Sequence, residues 1–142
     1  MNLLITGGPG YHVSGLLSDD KSSDNLVPNL IHKLKLKKPF LIYGSDYNTK
    51  DGTAIRDYIH INDLISAHVL SLKYISKKRN AIFNVGMGKG YTVLEILKAF
   101  QKVLNKKIHI KFVNRRKGDP AVIYCSAVKI KKILKWKPTH SL

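Results

Sequence analysis

Arginine is the scarce basic residue of this sequence, and its positions are the first place to look for chemistry. Only four of the 25 basic residues are arginine, and three of these lie in two short segments, residues 52–64 and 115–119. A planar guanidinium donates paired hydrogen bonds, which suit the oxygens of a phosphate. The two segments therefore predict either a phosphate-binding site or ordinary surface ion pairs, and spacing alone does not decide between them.

A glycine-rich turn near the start of the chain is a second candidate for phosphate chemistry. Gly7 and Gly10 follow the apolar residues 2–6, which predict a buried strand. Backbone amides in such a turn can approach a pyrophosphate at a helix N-terminus. The dinucleotide pattern is incomplete, because Val13 stands where a third glycine would allow close packing. Asp24 has the spacing of a ribose-binding acid, but no strand pattern precedes it.

Other patterns that resemble catalytic or metal sites are weaker. Tyr74 and Lys78 have a Tyr-x-x-x-Lys spacing, which places both on one helix face, but so short a motif recurs by chance in a lysine-rich chain. The six histidines are scattered without metal-ligand spacing, and no Ser/His/Asp or Cys/His set stands out. Spacing therefore assigns no catalytic or metal-binding residue.

The formal net charge of +16 is the strongest compositional signal. It favours anionic partners such as nucleic acid, a membrane surface or a phosphorylated ligand. Lysine, isoleucine and asparagine are all abundant, as in proteins of AT-rich genomes, so solvated lysine faces explain the charge better than a nucleic-acid patch. No run reaches the roughly 18 apolar residues of a membrane span, and one cysteine, Cys125, cannot form an internal disulfide. With no secretory signal pattern, we predict a cytoplasmic protein.

Helix and strand patterns alternate along the chain. We predict helices over residues 26–38, from a cap at Asn62 or Asp63, from the capping box that starts at Thr92, and over 127–134. Predicted strands are the apolar or alternating runs at residues 2–6, 40–43, 57–61, 82–85 and 107–113. This alternation predicts an α/β fold whose elements position the arginine segments.

Residues 52–64 closely resemble the GTxxRDYIHVxDL stretch of UDP-glucose 4-epimerases, which belong to the extended short-chain dehydrogenase/reductase group. Further segments match in the same order: residues 25–28 resemble NNLMP, 42–49 resemble (V/I)(F/Y)GxDYxT, 84–90 resemble NLGxGxG, 115–119 match RRxGD, and 134–138 match LGWxP with Lys135 in place of glycine. Because several motifs are co-linear, the chain is identified as a member of this family.

The resemblance implies a binding site for the nucleotide part of a UDP-sugar. The implied roles are nucleotide contacts for Asn25 and Leu26, uracil contacts for Ile42 and Tyr43, a diphosphate clamp formed by Arg56 and Arg116, ribose binding by Asp119, and control of the accepted sugar at Ile123. Isoleucine is not one of the residues common in the family at that last position, so the accepted sugar is left open.

The resemblance also implies a domain organisation. Residues 1–11 match the family's first strand and glycine turn, and the residues from Gly10 onward resemble GAHxSG, which lies past the middle of a full-length enzyme. We therefore expect a remnant of the NAD-binding domain at 1–11, with Gly7, Gly10 and Tyr11 as its implied cofactor contacts. Residues 12–142 would form the C-terminal, UDP-sugar-binding part of an extended Rossmann-type epimerase.

The family's catalytic serine and Tyr-x-x-x-Lys pair have no counterpart in the aligned sequence. We therefore predict that the chain does not interconvert UDP-glucose and UDP-galactose unaided. The alternatives are a non-catalytic UDP-sugar-binding module, which holds the ligand without turnover or acts with a complementing chain, a decaying remnant of the enzyme, and a basic nucleic-acid binder. Assembly as a homodimer is left open.

Overall fold

The computed structural model describes residues 25–77 and 80–141 of the chain. In chain order, the elements are α1 (Leu26–Lys35), β1 (Phe40–Tyr43), β2 (Ile55–Arg56), α2 (Ile61–Ile75), β3 (Tyr91–Thr92), α3 (Val93–Leu104), β4 (Ile110–Val113), β5 (Val122–Ile123) and α4 (Val128–Leu134). The predicted mixed α/β fold is confirmed. The strand predicted at residues 2–6 and the glycine turn after it lie outside the described residues.

The described residues belong to two compact units. The first, which we call the sheet unit, contains the described residues of 18–56 and 90–123, with all five strands, α1 and α3. The second, the helical unit, contains the described residues of 57–89 and 124–142, with α2 and α4. Each unit has a buried apolar cluster of its own.

The sheet unit contains two small sheets. β1 and β4 run parallel, with Tyr43 opposite Val113 at their ends. In the second sheet, β2 lies between β3 and β5, antiparallel to β3 and parallel to β5. Arg56, at the end of β2, pairs with Ile123 at the end of β5. Both parallel pairs therefore bring their carboxyl ends side by side.

The apolar faces of α1 and α3 pack on β1. The buried cluster consists of Leu30, Phe40, Ile42, Leu97 and Ile108. Complete burial of one such side chain contributes about 1.5–3 kcal/mol. Helical spacing predicted α1 correctly, but α1 ends at Lys35 instead of residue 38. The helix stops early because Lys37 adopts a left-handed φ of 53° and donates its N–H to the carbonyl of Leu34 at 3.2 Å.

α3 begins with the predicted capping box. The Thr92 hydroxyl accepts the N–H of Glu95 at 3.1 Å, and the Glu95 carboxylate accepts the N–H of Thr92 at 2.8 Å. The Thr92 hydroxyl also donates to Asp51, and the Asp51 carboxylate accepts the N–H of Thr53 at 3.0 Å. These hydrogen bonds fix the start of α3 to the turn that precedes β2.

α2 and α4 of the helical unit pack around a buried tryptophan. The buried cluster consists of Ala67, Ala127, Ile130 and Trp136. The indole N–H of Trp136 donates to the carbonyl of Asp63 at 3.1 Å and to the hydroxyl of Ser66 at 2.9 Å. The residues that follow α4 are therefore attached to the first turns of α2.

The cap predicted for α2 at Asn62 or Asp63 is wrong. His60 is the N-cap, and its Nδ1 accepts the N–H of Asn62 at 3.2 Å. Asp63 lies within the first turn, is 2% exposed, and accepts the backbone N–H groups of Thr139 and His140. Burial acts to raise the pKa of Asp63, but the hydrogen bonds from Thr139 and His140 outweigh it and hold that pKa below its ordinary value.

The strands predicted at residues 57–61 and 82–85 are wrong, because neither segment pairs with a strand among the described residues. Side-chain hydrogen bonds organise this region instead. The Asp57 carboxylate accepts the N–H of Met87 at 2.9 Å and that of Cys125 at 3.4 Å. The strand predicted over 107–113 is present but shorter, and it begins at Ile110.

Candidate functional site

All eight residues implied to bind a nucleotide lie in the sheet unit. They occupy the start of α1, the carboxyl ends of β1, β2 and β5, and the loop between β4 and β5: Asn25, Leu26, Ile42, Tyr43, Arg56, Arg116, Asp119 and Ile123. Ligands commonly bind beyond the carboxyl ends of parallel strands, because the loops that start there converge. The strand register therefore places most of these residues where a binding site is expected.

Arg56 and Asp119 form an ion pair at the end of β2. Arg56 is 6% exposed, and its Nη1 donates to the carbonyl of Ile55 at 2.7 Å. Its Nη2 donates to Oδ1 of Asp119, whose side chain is 25% exposed. A buried guanidinium needs such a partner, since an isolated buried charge is costly. An ionised carboxylate has about four acceptor positions, so Asp119 keeps capacity to accept further hydrogen bonds.

Arg116 lies over the aromatic ring of Tyr43. The distance from the guanidinium carbon Cζ to the ring centroid is 4.0 Å, which is within the range of a cation–π contact. The carbonyl of Arg116 also accepts the N–H of Asp119 at 3.2 Å. A continuous set of contacts therefore runs from Tyr43 through Arg116 and Asp119 to Arg56, within one unit.

A cavity of 460 Å³ lies at the carboxyl ends of β1 and β4. Its lining comes from the residues that follow Tyr43 and precede Arg116: Gly44, Ser45, Asp46, Val113, Asn114 and Arg115. Small-molecule sites typically have volumes of about 300–1,000 Å³. The volume of the cavity therefore lies within the range of small-molecule sites.

Arg115 differs from Arg56 and Arg116, the two arginines that the resemblance implies as a diphosphate clamp. Its Nε donates to Oδ1 of Asp46 at 2.7 Å, and its guanidinium lies over the ring of Tyr47. The hydrogen bond from Arg115 lowers the pKa of Asp46. Asp46 and Tyr47 were not assigned a role from the sequence, although both lie within the 42–49 segment that carried part of the resemblance.

The structure does not bring every implied residue to an exposed surface. The side chain of Ile42 lies in the core and is 1% exposed, so its backbone alone is available to a ligand. Leu26 packs against the same core cluster, and the side chain of Asn25 forms no hydrogen bond that caps α1. Ile123 is 39% exposed, as a residue that faces a ligand or solvent would be.

The cofactor contacts implied at Gly7, Gly10 and Tyr11 lie outside the described residues. Lys78 lies outside them as well, and Tyr74 packs its ring edge-on against Phe83 with centroids 5.7 Å apart. In the described part of the chain, no three His, Cys, Asp or Glu residues are grouped so as to hold a metal ion. No described helix has both the length and the apolar character to cross a membrane.

Comparison with characterised proteins places the sequence among sugar-nucleotide epimerases. It is 40% identical over 140 residues to UDP-glucose 4-epimerase 1 of Oryza sativa subsp. japonica, covering 94% of this chain and 40% of that protein. It is 42% identical over 137 residues to the UDP-glucose 4-epimerase of Dictyostelium discoideum, covering 93% and 40%. The chain thus spans about two fifths of the length of these relatives.

Solved structures of sugar-nucleotide epimerases share the fold of this chain. The UDP-glucose 4-epimerase of Stenotrophomonas maltophila, with bound NAD and formylated UDP-arabinopyranose, superposes with a TM-score of 0.80 at 36% identity, covering 85% of this chain and 37% of that one. The Bifidobacterium longum enzyme, in complex with NAD⁺ and UDP, gives 0.67 at 39% identity, covering 73% and 31%. The family model described as "NAD dependent epimerase/dehydratase family" matches residues 3–86. The chain therefore belongs to the NAD-dependent epimerase/dehydratase family.

Proposed function

We propose that the sheet unit binds the uridine diphosphate part of a UDP-sugar, in the manner of a UDP-glucose 4-epimerase. The observation that carries the proposal is the continuous set of contacts through Tyr43, Arg116, Asp119 and Arg56. It gathers an aromatic ring, two guanidinium groups and a carboxylate in one compact unit. A nucleoside diphosphate offers the matching groups, which are a planar base, two phosphates and sugar hydroxyls.

In this proposal, Arg116 changes its partner when the ligand binds. Its guanidinium covers the Tyr43 ring at 4.0 Å, so a base that stacks on that face requires the arginine to turn away. The cation–π contact contributes about 0.5–1 kcal/mol at an exposed site, whereas hydrogen bonds to a charged group contribute about 1.5–3 kcal/mol. The hydrogen bonds that a phosphate offers are therefore stronger than the ring contact that they replace.

Arg56 acts mainly through its fixed position. Because it is 6% exposed and already paired with Asp119, it holds that carboxylate where ribose hydroxyls can donate to it. The pair balances part of the positive charge of Arg56, which weakens its direct attraction for a phosphate. The formal net charge of +16 adds a long-range attraction for any anionic ligand.

We further propose that the chain holds a UDP-sugar without epimerising it unaided. NAD, when bound to a family member, supplies the hydride acceptor and donor of the reaction. The alignment with the family places no residue of this sequence at the catalytic serine or the catalytic Tyr-x-x-x-Lys pair, and no residue of the described part is assigned to NAD. The purified chain, incubated with NAD and UDP-glucose, should form no UDP-galactose above the enzyme-free background, and measurable turnover would contradict this part of the proposal.

Isothermal titration calorimetry with UDP and with uridine tests the binding proposal. Wild-type chain should bind UDP, and Arg116→Ala should weaken that binding by about tenfold or more, the equivalent of one lost charge-assisted interaction. Uridine has no phosphate and gains access to the Tyr43 ring in the variant, so its affinity should be unchanged or higher. Lys117→Ala, which removes the same charge from the adjacent exposed residue, is the matched control. Absence of UDP binding by the wild type would overturn the proposal, as would equal UDP affinities of the wild type and Arg116→Ala.

A further inference from the structure

We propose that Arg115, Asp46 and Tyr47 form a brace that positions Arg116 and Asp119 for ligand binding. The inference rests on the proposed function and deepens it by assigning Arg115 a positioning role instead of a phosphate contact. All five residues lie in the sheet unit. They join the loop after β1 to the loop between β4 and β5, which carries the two proposed ligand-binding residues.

The guanidinium of Arg115 is engaged by the loop after β1 on two sides. Nε donates to Oδ1 of Asp46 at 2.7 Å, and Nη2 donates to the main-chain carbonyl of the same residue. Its Cζ lies 4.2 Å from the centroid of the Tyr47 ring. Because these contacts occupy both the edge and the face of the guanidinium, the loop after β1 determines the orientation of the Arg115 side chain. The backbone of the adjacent residue, Arg116, is held as a consequence.

Tyr47 contacts both ends of the loop that it supports. Its ring lies under Arg115, and its hydroxyl donates to the main-chain carbonyl of Asp119 at 3.3 Å. It is 4% exposed, and its own N–H donates to the carbonyl of Gly52 at 3.0 Å. Burial raises the pKa of Tyr47, so the hydroxyl stays protonated and can donate. The buried Tyr47 side chain therefore holds the loop between β4 and β5 at two points, Arg115 and Asp119.

Gly44 makes this arrangement possible. A Cβ at this position would lie 2.4 Å from Cε2 of Tyr47 and 2.9 Å from Cγ of Arg115, and its φ of 82° is left-handed. Its N–H donates to the carbonyl of Val113 at 2.9 Å, which continues the β1–β4 pairing up to the start of the loop. The absence of a side chain therefore lets the ring and the guanidinium close over the end of β1.

The brace makes a prediction that differs in sign from that of simple electrostatics. If Arg115 only supplied positive charge, Asp46→Asn would strengthen binding of an anion, because it removes a negative charge that lies near the site. If Arg115 acts through the brace, the same substitution weakens binding, because the guanidinium loses its charged partner. Arg115→Lys gives a second contrast, since it keeps the charge but cannot form the paired contacts of a guanidinium.

UDP titrations of Asp46→Asn, Arg115→Lys and the double variant test the inference. Each single variant should bind UDP about three- to fivefold more weakly than the wild type, the range expected for loss of an exposed ion pair. The double variant should be no weaker than either single variant, because both disrupt one unit. Lys117→Gln, which removes charge from the same loop without a brace contact, should change the affinity less than either.

A second measurement follows the loop without any ligand. Residues 115–117 are all trypsin sites, and a loop that opens more often is cleaved faster. Asp46→Asn should therefore speed cleavage in this loop several-fold at an unchanged melting temperature. Wild-type UDP binding combined with equal or tighter binding by Asp46→Asn would overturn the brace alone, as would unchanged cleavage. No UDP binding by the wild type would instead remove the proposed function and, with it, the positioning role.

Discussion

The Arg56–Asp119 ion pair offers the most direct test of how the candidate site is held together, through the substitution Asp119→Asn. Asparagine has nearly the same shape as aspartate but carries no charge, so the change removes the electrostatic partner with little change in packing. Arginine cannot be deprotonated in a protein. The Arg56 guanidinium, whose side chain is 7% exposed, would therefore remain charged and buried with a weaker partner.

The expected loss of stability follows from the surroundings of the pair. Removal of one partner from a fully buried ion pair costs about 3–5 kcal/mol. Two features reduce that figure here: the Asp119 side chain is 25% exposed, and Arg56 keeps its hydrogen bond to the carbonyl of Ile55 at 2.7 Å. The asparagine oxygen can also accept one hydrogen bond. We therefore expect the free energy of unfolding to fall by about 2–3 kcal/mol.

Urea denaturation followed by far-UV circular dichroism measures this loss, with Asp119→Asn, Arg56→Met and the double variant forming a cycle. The coupling between the two residues should reach about 1.5 kcal/mol or more, since they are in direct contact. Asp46→Asn makes the same change in net charge at a side chain that is 73% exposed, and it should have a much smaller effect. A coupling below about 0.5 kcal/mol, the level found for independent sites, would refute the assignment of Asp119 as the partner that stabilises Arg56.

Two further predictions concern the parts of the fold that support the site and the helical unit. Because hydrogen bonds from Thr139 and His140 hold the pKa of Asp63 below its ordinary value, the contribution of Asp63 to stability should be complete above about pH 4 and lost as the pH falls further. Asp63→Asn should flatten this acid dependence in urea titrations. Parallel stability curves of the wild type and the variant would exclude a stabilising role of the Asp63 carboxylate. Thr92→Ala should lower the free energy of unfolding by about 1–2 kcal/mol, because the N–H of Glu95 loses the hydroxyl that accepts its hydrogen bond. Thr92→Ser keeps the hydroxyl and should retain most of the stability. Equal losses in the two variants would count against the capping box.

The helices of the sheet unit were predictable because their signals are local. The residues of a capping box are three positions apart, so Thr92 and Glu95 reveal the start of α3 without any knowledge of the rest of the fold. The strands at 57–61 and 82–85 were predicted wrongly for the opposite reason. A strand exists only when it pairs, and alternation within one segment does not show whether a partner is present.

The cap of α2 shows how tertiary contacts override a local preference. Asp63 has the residue type of a good N-cap, but its carboxylate is used by the backbone of Thr139 and His140, more than seventy residues later in the chain. His60 takes the capping position instead, through its ring nitrogen. Local propensity could not indicate this, because the competing donors become adjacent only after the fold is complete.

The three arginines of the candidate site show the same limit at the level of function. Residue type and spacing did not distinguish phosphate binding from surface ion pairing for Arg56, Arg115 and Arg116. In the structure, Arg56 has a buried ion pair, Arg115 has an exposed pair with Asp46, and Arg116 lies on the face of an aromatic ring. A ligand can recruit an arginine only by interacting with it better than its present partner does. Recruitment of Arg56 or Arg115 by a ligand would leave Asp119 or Asp46 without its charged partner. We therefore expect Arg56 and Arg115 to fix the geometry of the site, and a comparison of the UDP affinities of Arg116→Ala and Arg115→Lys shows which guanidinium binds the diphosphate.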